Sequence, residues 1–378
     1  MILGLGLINQ LNARSGTERF EARVGVRLVA ARSDWQWRVY TRGVRPPEWE
    51  GAGGFEEVVC PPTAAVRGGR LWSEQVSWER ALRRAPPDLL VALAFSPPAG
   101  SRIPFVMTVH DVTPLERPQD YAGPSGFYWS WVLRKVAPRA ARLTTPSAWV
   151  RDRCAAALGY PPERIDVVHS GVEPRFFAER DPAQSRSRLE RLGVRGPFWL
   201  HCGMAHPRKN LAAAVRALAL LRQRGAEVPQ LVGVGTPGAD TRRVRDLARD
   251  LGVADRMAFA GAVGDDALAD LYAGCDAFVF PSWAEGFGVP PLEALAAGAR
   301  VLASRTTCLP EILGDAPFWA DPADPATWVD AWERSRAEAP ADAEARRRRG
   351  REWARRYTWD DTAARCRAAI ERAIAERR

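Results

Sequence analysis

Short runs that are apolar at every position alternate with longer amphipathic stretches along the whole chain. An unbroken apolar run, unlike one apolar at every second position, marks a strand covered on both faces, as in parallel sheets. The runs predict strands at Ile2–Ile8, Trp37–Thr41, Leu89–Ala94, Pro104–Val109, Arg142–Pro146 and Ile165–His169, then at Phe198–Cys202, Gln230–Val234, Met257–Ala260, Ala277–Pro281 and Arg300–Ser304. Helices are expected from Thr17, from Ser147 as an N-cap, and over Leu211–Arg224, Thr241–Leu251, Asp266–Tyr272, Leu292–Ala297 and Trp359–Arg378. Regular strand–helix alternation makes this an α/β chain with doubly wound parallel sheets. Residues 43–72 are rich in Pro and Gly and read as irregular surface structure.

At 378 residues the chain is long enough for two domains of ordinary size. The linker is expected near Gly171–Asp181, with a first domain over 1–175, a second over 176–356 and a terminal helix over 357–378. Hydrophobic residues make up 46%, which supports a sizeable core and argues against disorder. No apolar run approaches the about 18 residues of a membrane span. The start, MILGLGLINQL, lacks a basic leader and reads as a buried strand rather than a secretion signal. Six cysteines without zinc spacing or a C-x-x-C pair read as reduced thiols of a cytoplasmic protein.

The net charge is +9, and residues 1–178 hold 23 Lys and Arg against 17 Asp and Glu. No nucleic-acid motif accompanies it, so donor phosphates or an anionic membrane surface are the expected partners. Phe127-Tyr128-Trp129-Ser130-Trp131, followed by Arg134-Lys135, could meet such a surface or turn its aromatics into the core. The arginine run 346–349 reads as a solvated helix face. Only two of the 54 basic residues are lysine, Lys135 and Lys209.

Candidate chemistry concentrates in the second half. From Phe278 to Glu311 the chain reads as strand, glycine loop, helix, strand and loop. Glu285 directly precedes Gly286-Phe287-Gly288, and Glu293 follows eight positions later, expected in the first turn of a helix opened by Pro290-Pro291. This places two carboxylates and free amides at the carboxyl end of a strand, where open α/β sheets bind ligands. Upstream, Gly203 to Asn210 follows another strand. Arg208 and Lys209 stand before a helix whose N-terminus, with Asn210 expected as its cap, attracts phosphate. His110 and Asp111 end a strand in the first half, Asp111 as a cap for the next turn. Gly16-Thr17 lies between the first strand and first helix. Gly233 to Gly238 matches G-x-G-x-x-G but follows the second strand of its domain, so a dinucleotide site is rejected. No D-x-D sequence and no clustered metal set occur.

The E-x7-E spacing, with Pro207-Arg208-Lys209-Asn210, Ala258 to Val263 and Leu309-Pro310-Glu311 in order, resembles the retaining glycosyltransferases of family 4. The resemblance covers about residues 196–365 well and the amino-terminal half loosely. It implies a GT-B fold, two facing Rossmann-like domains with a C-terminal helix returning to the first. It implies a hexose, mannose first, moved from a nucleotide-diphosphate sugar to a saccharide or lipid-linked acceptor in cell-surface polysaccharide synthesis. GDP-mannose is the first donor and UDP-sugars the second, with no resident cofactor and no metal. By this resemblance the first domain takes the acceptor and the second the donor. Donor contacts fall on Gly16, Gly203, Arg208, Lys209, Val263, Glu285, Gly286, Phe287, Gly288, Val289 and Glu293. Lys209 holds the diphosphate, Glu285 and the glycine loop the sugar, and Glu293 the ribose. His110, Glu285 and Lys209 carry catalysis, and His206 assists at the phosphate loop. Many relatives have an arginine where this chain has Met204, a contact that is either missing or supplied by Arg208. A sugar-nucleotide epimerase or phosphorylase, or a non-catalytic nucleotide-sugar sensor, would use the same pocket.

Overall fold

The apolar runs become parallel strands in two separate sheets. The computed structural model describes residues 1–8, 15–31, 34–60, 73–94, 96–121, 124–203, 206–238 and 240–377. Contacts divide the chain into one unit of Met1–Gly171 with Tyr357–Arg378 and a second of Val172–Arg356.

In the first unit the strands are β1 (Ile2–Gly6), β2 (Gln36–Thr41), β3 (Phe55–Val59), β4 (Leu89–Ala92), β5 (Phe105–Thr108), β6 (Arg142–Thr145) and β7 (Ile165–Val167). They lie in the order β3-β2-β1-β4-β5-β6-β7. Strand β3 falls inside the stretch read as irregular, and residues 61–72 of that stretch lie outside the described residues. Its sequence, Phe-Glu-Glu-Val-Val, has no buried position, so it lacks the apolar signal. Pairing with β2, from Trp37 opposite Phe55 to Thr41 opposite Val59, makes it a strand. Strand β4 shows the two-sided burial: Leu89 and Val91 join one core, Leu90 and Ala92 the other.

The helix Gly16–Ala30 starts from a capping box that the expected start at Thr17 overlooked. The Ser15 hydroxyl accepts from the Glu18 N–H, and the Glu18 carboxylate accepts from the Ser15 N–H. Ser147 caps the helix Ala148–Leu158 as predicted. The terminal helix Trp359–Ala375 belongs to the first unit, where Trp359, Cys366, Ile370 and Ala373 join the core of Leu3, Leu5, Phe20 and Val91. A fully buried Ile such as Ile370 contributes about 1.5–3 kcal/mol. In the helix Pro124–Lys135, Tyr128, Trp129 and Trp131 pack against the core, while Phe127 is 78% exposed. Arg134 and Lys135 are exposed in its last turn.

The second sheet contains β8 (Phe198–Cys202), β9 (Gln230–Val234), β10 (Met257–Gly261), β11 (Ala277–Phe280), β12 (Val301–Ser304) and β13 (Phe318–Ala320). Its order is β10-β9-β8-β11-β12-β13. The three-residue β13 was too short to read from the sequence. Strand order reverses between β8 and β11, so the loops after these two strands flank the switch point, the usual ligand position in such sheets.

Candidate active site

The turn after β8 begins with Gly203 at φ +137°, a region where a side chain would be strained. The Lys209 side chain lies beside it: a Cβ on Gly203 would sit 3.6 Å from Lys209 Cε. Pro207–Lys209 form a single 3-10 turn, entered where the His206 ring accepts from the Arg208 N–H. Asn210 was expected to cap the next helix, but its side chain makes no capping bond. Its Nδ2 donates to the Pro322 carbonyl at 2.8 Å, and the chain instead turns at Asn210 with φ +51°. A left-handed Asn accomplishes by backbone what a cap does by side chain. Met204 lies outside the described residues.

The loop after β11 brings Glu285 onto this turn. Lys209 Nζ donates to Glu285 Oε1 at 2.7 Å, and an Arg208 terminal nitrogen donates to Oε2 at 2.8 Å. Arg208 also donates to the Ala284 carbonyl, and the Trp283 N–H donates to the Arg208 carbonyl. Glu285 is 5% exposed. Burial alone would raise its carboxyl; Arg208 and Lys209 outweigh that and hold it at about 2. Burial lowers the Lys209 ammonium, with Glu285 opposing and Arg208 adding to the fall. The three side chains together carry one net positive charge.

Beneath them is an aromatic floor. Lys209 Nζ lies 4.8 Å from the Phe280 ring centre. The buried His201 ring stacks on Phe280 at 6.3 Å, and its Nδ1 donates to the Val279 carbonyl. Burial lowers this imidazole to about 4, so it is neutral at ordinary pH.

Gly288, at φ +91°, closes the glycine loop; a Cβ there would lie 2.7 Å from Leu309. The helix after it runs Val289–Ala296, so Glu293 stands in its second turn, not its first. The helix starts one residue ahead of the proline pair. Glu293 is 4% exposed, and the Tyr272 hydroxyl donates to its Oε2 at 3.0 Å. The sequence reading missed Tyr272, because an aromatic on a buried helix face carries no signal beyond core packing.

Other predicted residues belong to other elements. Val263 follows β10, the outermost strand, two places from β8. Gly16 and His110 belong to the first unit. Gly16 is the first residue of its helix, with open space where a Cβ would stand. His110 follows β5, and its Nε2 donates to the Leu93 carbonyl at 2.7 Å, which leaves Nδ1 as the acceptor of the neutral ring. Burial lowers its pKa, and the ring edge meets Phe20 at 5.1 Å. Asp111 accepts from the Thr113 N–H, holding the turn. Among the described residues, no group of three or more potential metal ligands occurs. None of the described helices is long and apolar enough to cross a membrane.

Residues 190–353 match the model of glycosyl transferases group 1, and residues 15–176 match that of glycosyltransferase family 4. The chain is 30% identical over 263 residues to O-antigen chain mannosyltransferase B of Escherichia coli, covering 68% of this chain and 67% of that protein. The chain belongs to the family 4 glycosyltransferases. It is also 29% identical over 270 residues to the serotype-specific mannosyltransferase WbdA of Escherichia coli, covering 67% of this chain. It spans about a third (32%) of the length of that relative. Anabaena HepE in complex with UDP-glucose has a similar structure, with a TM-score of 0.74 at 16% identity over 98% of this chain and 99% of that one. At that identity the likeness speaks to the fold, which is GT-B. In this family member, then, Arg208, Lys209 and Glu285 form one contact cluster at a switch point, Glu293 is held nearby in sequence by Tyr272, and Val263 stands at the sheet edge.

Proposed function

We propose that the chain transfers a hexose, mannose first, from a nucleotide-diphosphate sugar to a saccharide or lipid-linked saccharide, with retention and without a divalent metal. The observation that carries this reading is the Arg208–Lys209–Glu285 cluster. It is a half-buried, net-positive group at the switch point of the second sheet, suited to a diphosphate leaving group. The donor diphosphate takes the two cations, and Glu285 is released towards the sugar. The bond from the anomeric carbon to the diphosphate oxygen breaks, and its electron pair stays on that oxygen. The acceptor hydroxyl bonds to the anomeric carbon from the same face, and its proton passes to the departing diphosphate. Glu293 binds the ribose, Gly286 to Val289 line the sugar, and Gly16, Gly203 and Val263 border the donor. His110 accepts a substrate hydroxyl at Nδ1.

The names of the mannosyltransferase relatives support mannose and an acceptor in surface polysaccharide synthesis; the UDP-glucose bound by HepE keeps a UDP-sugar as the second donor. The first unit takes the acceptor. It works at the cytoplasmic face of an anionic membrane, which exposed Phe127, Arg134 and Lys135 contact.

Thermal stabilisation by GDP and UDP, followed by turnover of GDP-mannose and UDP-glucose, tests the reading. GDP is expected to stabilise most. Lys209→Ala is expected to lower kcat/KM by about 100- to 1,000-fold with the fold intact. Preference for UDP would replace the donor, and full activity of Lys209→Ala would remove the cluster from the reaction.

A further inference from the structure

We propose that Thr307 and Cys308 are the positioning residues of Glu285, gripping its backbone from both sides; this rests on Glu285 being the donor-sugar contact of the reading above. Three consecutive side chains after β12 reach the loop after β11. The Thr306 hydroxyl donates to the Ser282 carbonyl at 3.3 Å. The Thr307 hydroxyl accepts from the Glu285 N–H at 3.1 Å, and the Cys308 thiol donates to the Glu285 carbonyl at 3.2 Å. Leu309, next in line, abuts Gly288. The loop is therefore pinned at Ser282, at both backbone groups of Glu285 and at Gly288.

The backbone of Thr307 is itself unusual. Its φ is +50°, a region that β-branched residues avoid and glycine enters freely. Among the described non-glycine residues only Asn210 shares a positive φ. Asn210 directly follows Lys209, which holds the Glu285 carboxylate, and Thr307 holds its amide. Strain at Thr307 thus sits directly against Glu285, as it does where surrounding structure enforces a functional geometry. Glycine would fit the turn without strain but could not accept the Glu285 N–H. The clamp has a defined task. When a diphosphate takes Arg208 and Lys209, the Glu285 carboxylate loses both ionic partners, and the grip on its peptide keeps the residue in place.

The test compares Thr307→Gly, Thr307→Val, Thr307→Ser and Glu285→Gln in the full chain, using whichever of GDP-mannose and UDP-glucose the wild type turns over. Thr307→Gly is expected to melt no lower than wild type and to bind the nucleotide diphosphate within about twofold, because the strain is gone and the cations remain. Its kcat is expected to fall about 10- to 100-fold through misplacement of Glu285. Thr307→Val, which keeps the shape without the hydroxyl, is expected to lose the same, and Thr307→Ser to recover most of it. If Glu285→Gln loses turnover while Thr307→Gly keeps it, the positioning inference alone fails. If Glu285→Gln also keeps turnover, the donor-sugar reading fails and the inference with it. A parallel loss of melting temperature, nucleotide affinity and kcat in Thr307→Gly would place Thr307 in the fold instead and overturn the inference.

Discussion

In the first unit, Arg142 stands at the amino end of β6 and is 3% exposed. Its Nε donates to Asp166 in β7 at 2.8 Å, another nitrogen to the Glu163 carbonyl, and a third to Glu376 beyond the terminal helix. Arg372 of that helix also donates to Asp166 at 2.7 Å. In the second unit the Arg208–Lys209–Glu285 cluster follows the carboxyl ends of β8 and β11. Both sheets reverse their strand order once, β1 beside β4 and β8 beside β11, yet their buried charges lie at opposite strand ends. The first cluster closes on itself through two carboxylates and a carbonyl and ties the returning helix down. The second has two cations on one carboxylate and is suited to exchange partners with an anion. Placement at the carboxyl end of the strands, rather than burial, separates a candidate site from a latch.

That contrast can be broken in three ways. The largest effect is expected at the latch. Arg142→Ala removes hydrogen bonds to two carboxylates and a carbonyl and should cost about 3 kcal/mol of first-unit stability. The melting midpoint should fall while stabilisation by nucleotide persists; equal loss of nucleotide binding would erase the division between the two ends.

An effect of similar size depends on pH. The His201 imidazole, lowered by burial to about 4, would titrate near about 6.5 in an unfolded chain. Between these values the unfolded chain binds a proton that the native one refuses. His201 therefore leaves stability intact above about pH 6.5 and removes about 3 kcal/mol as pH falls towards 4. Urea midpoints against pH should show this slope, and His201→Gln should flatten it. An unchanged slope in the variant would show that the floor under Lys209 is not held by a neutral imidazole.

The smallest effect belongs to Tyr272. Its phenol is pushed well above the ordinary value by burial and stays protonated to donate to Glu293. Tyr272→Phe removes one hydrogen bond to a carboxylate and should weaken nucleotide binding about tenfold. Unchanged affinity would detach Glu293 from the nucleotide.

Most of the architecture was legible because strands buried on both faces write themselves as apolar runs. Strand β3 was not, since its residues are polar or half-exposed and only the partner strand makes them a strand. Asn210 was misread because Asn serves as a cap by its side chain or as a left-handed turn by its backbone, and composition does not say which. Glu285 and Lys209 were both visible as candidates in glycine- and proline-marked loops. That they touch was not, since no local pattern reports on residues 76 positions apart. Thr307 left no trace, because a left-handed threonine has no sequence signature.

Residue order alone determined the two-sheet α/β architecture, the family and the short roll of charged loop residues, since these depend on local periodicity and spacing. Tertiary structure alone decided which charges meet and at which end of the strands they do so. Sheet order sets those distances, and Coulomb energy at a few ångströms in a buried setting depends on distance and desolvation rather than on residue type.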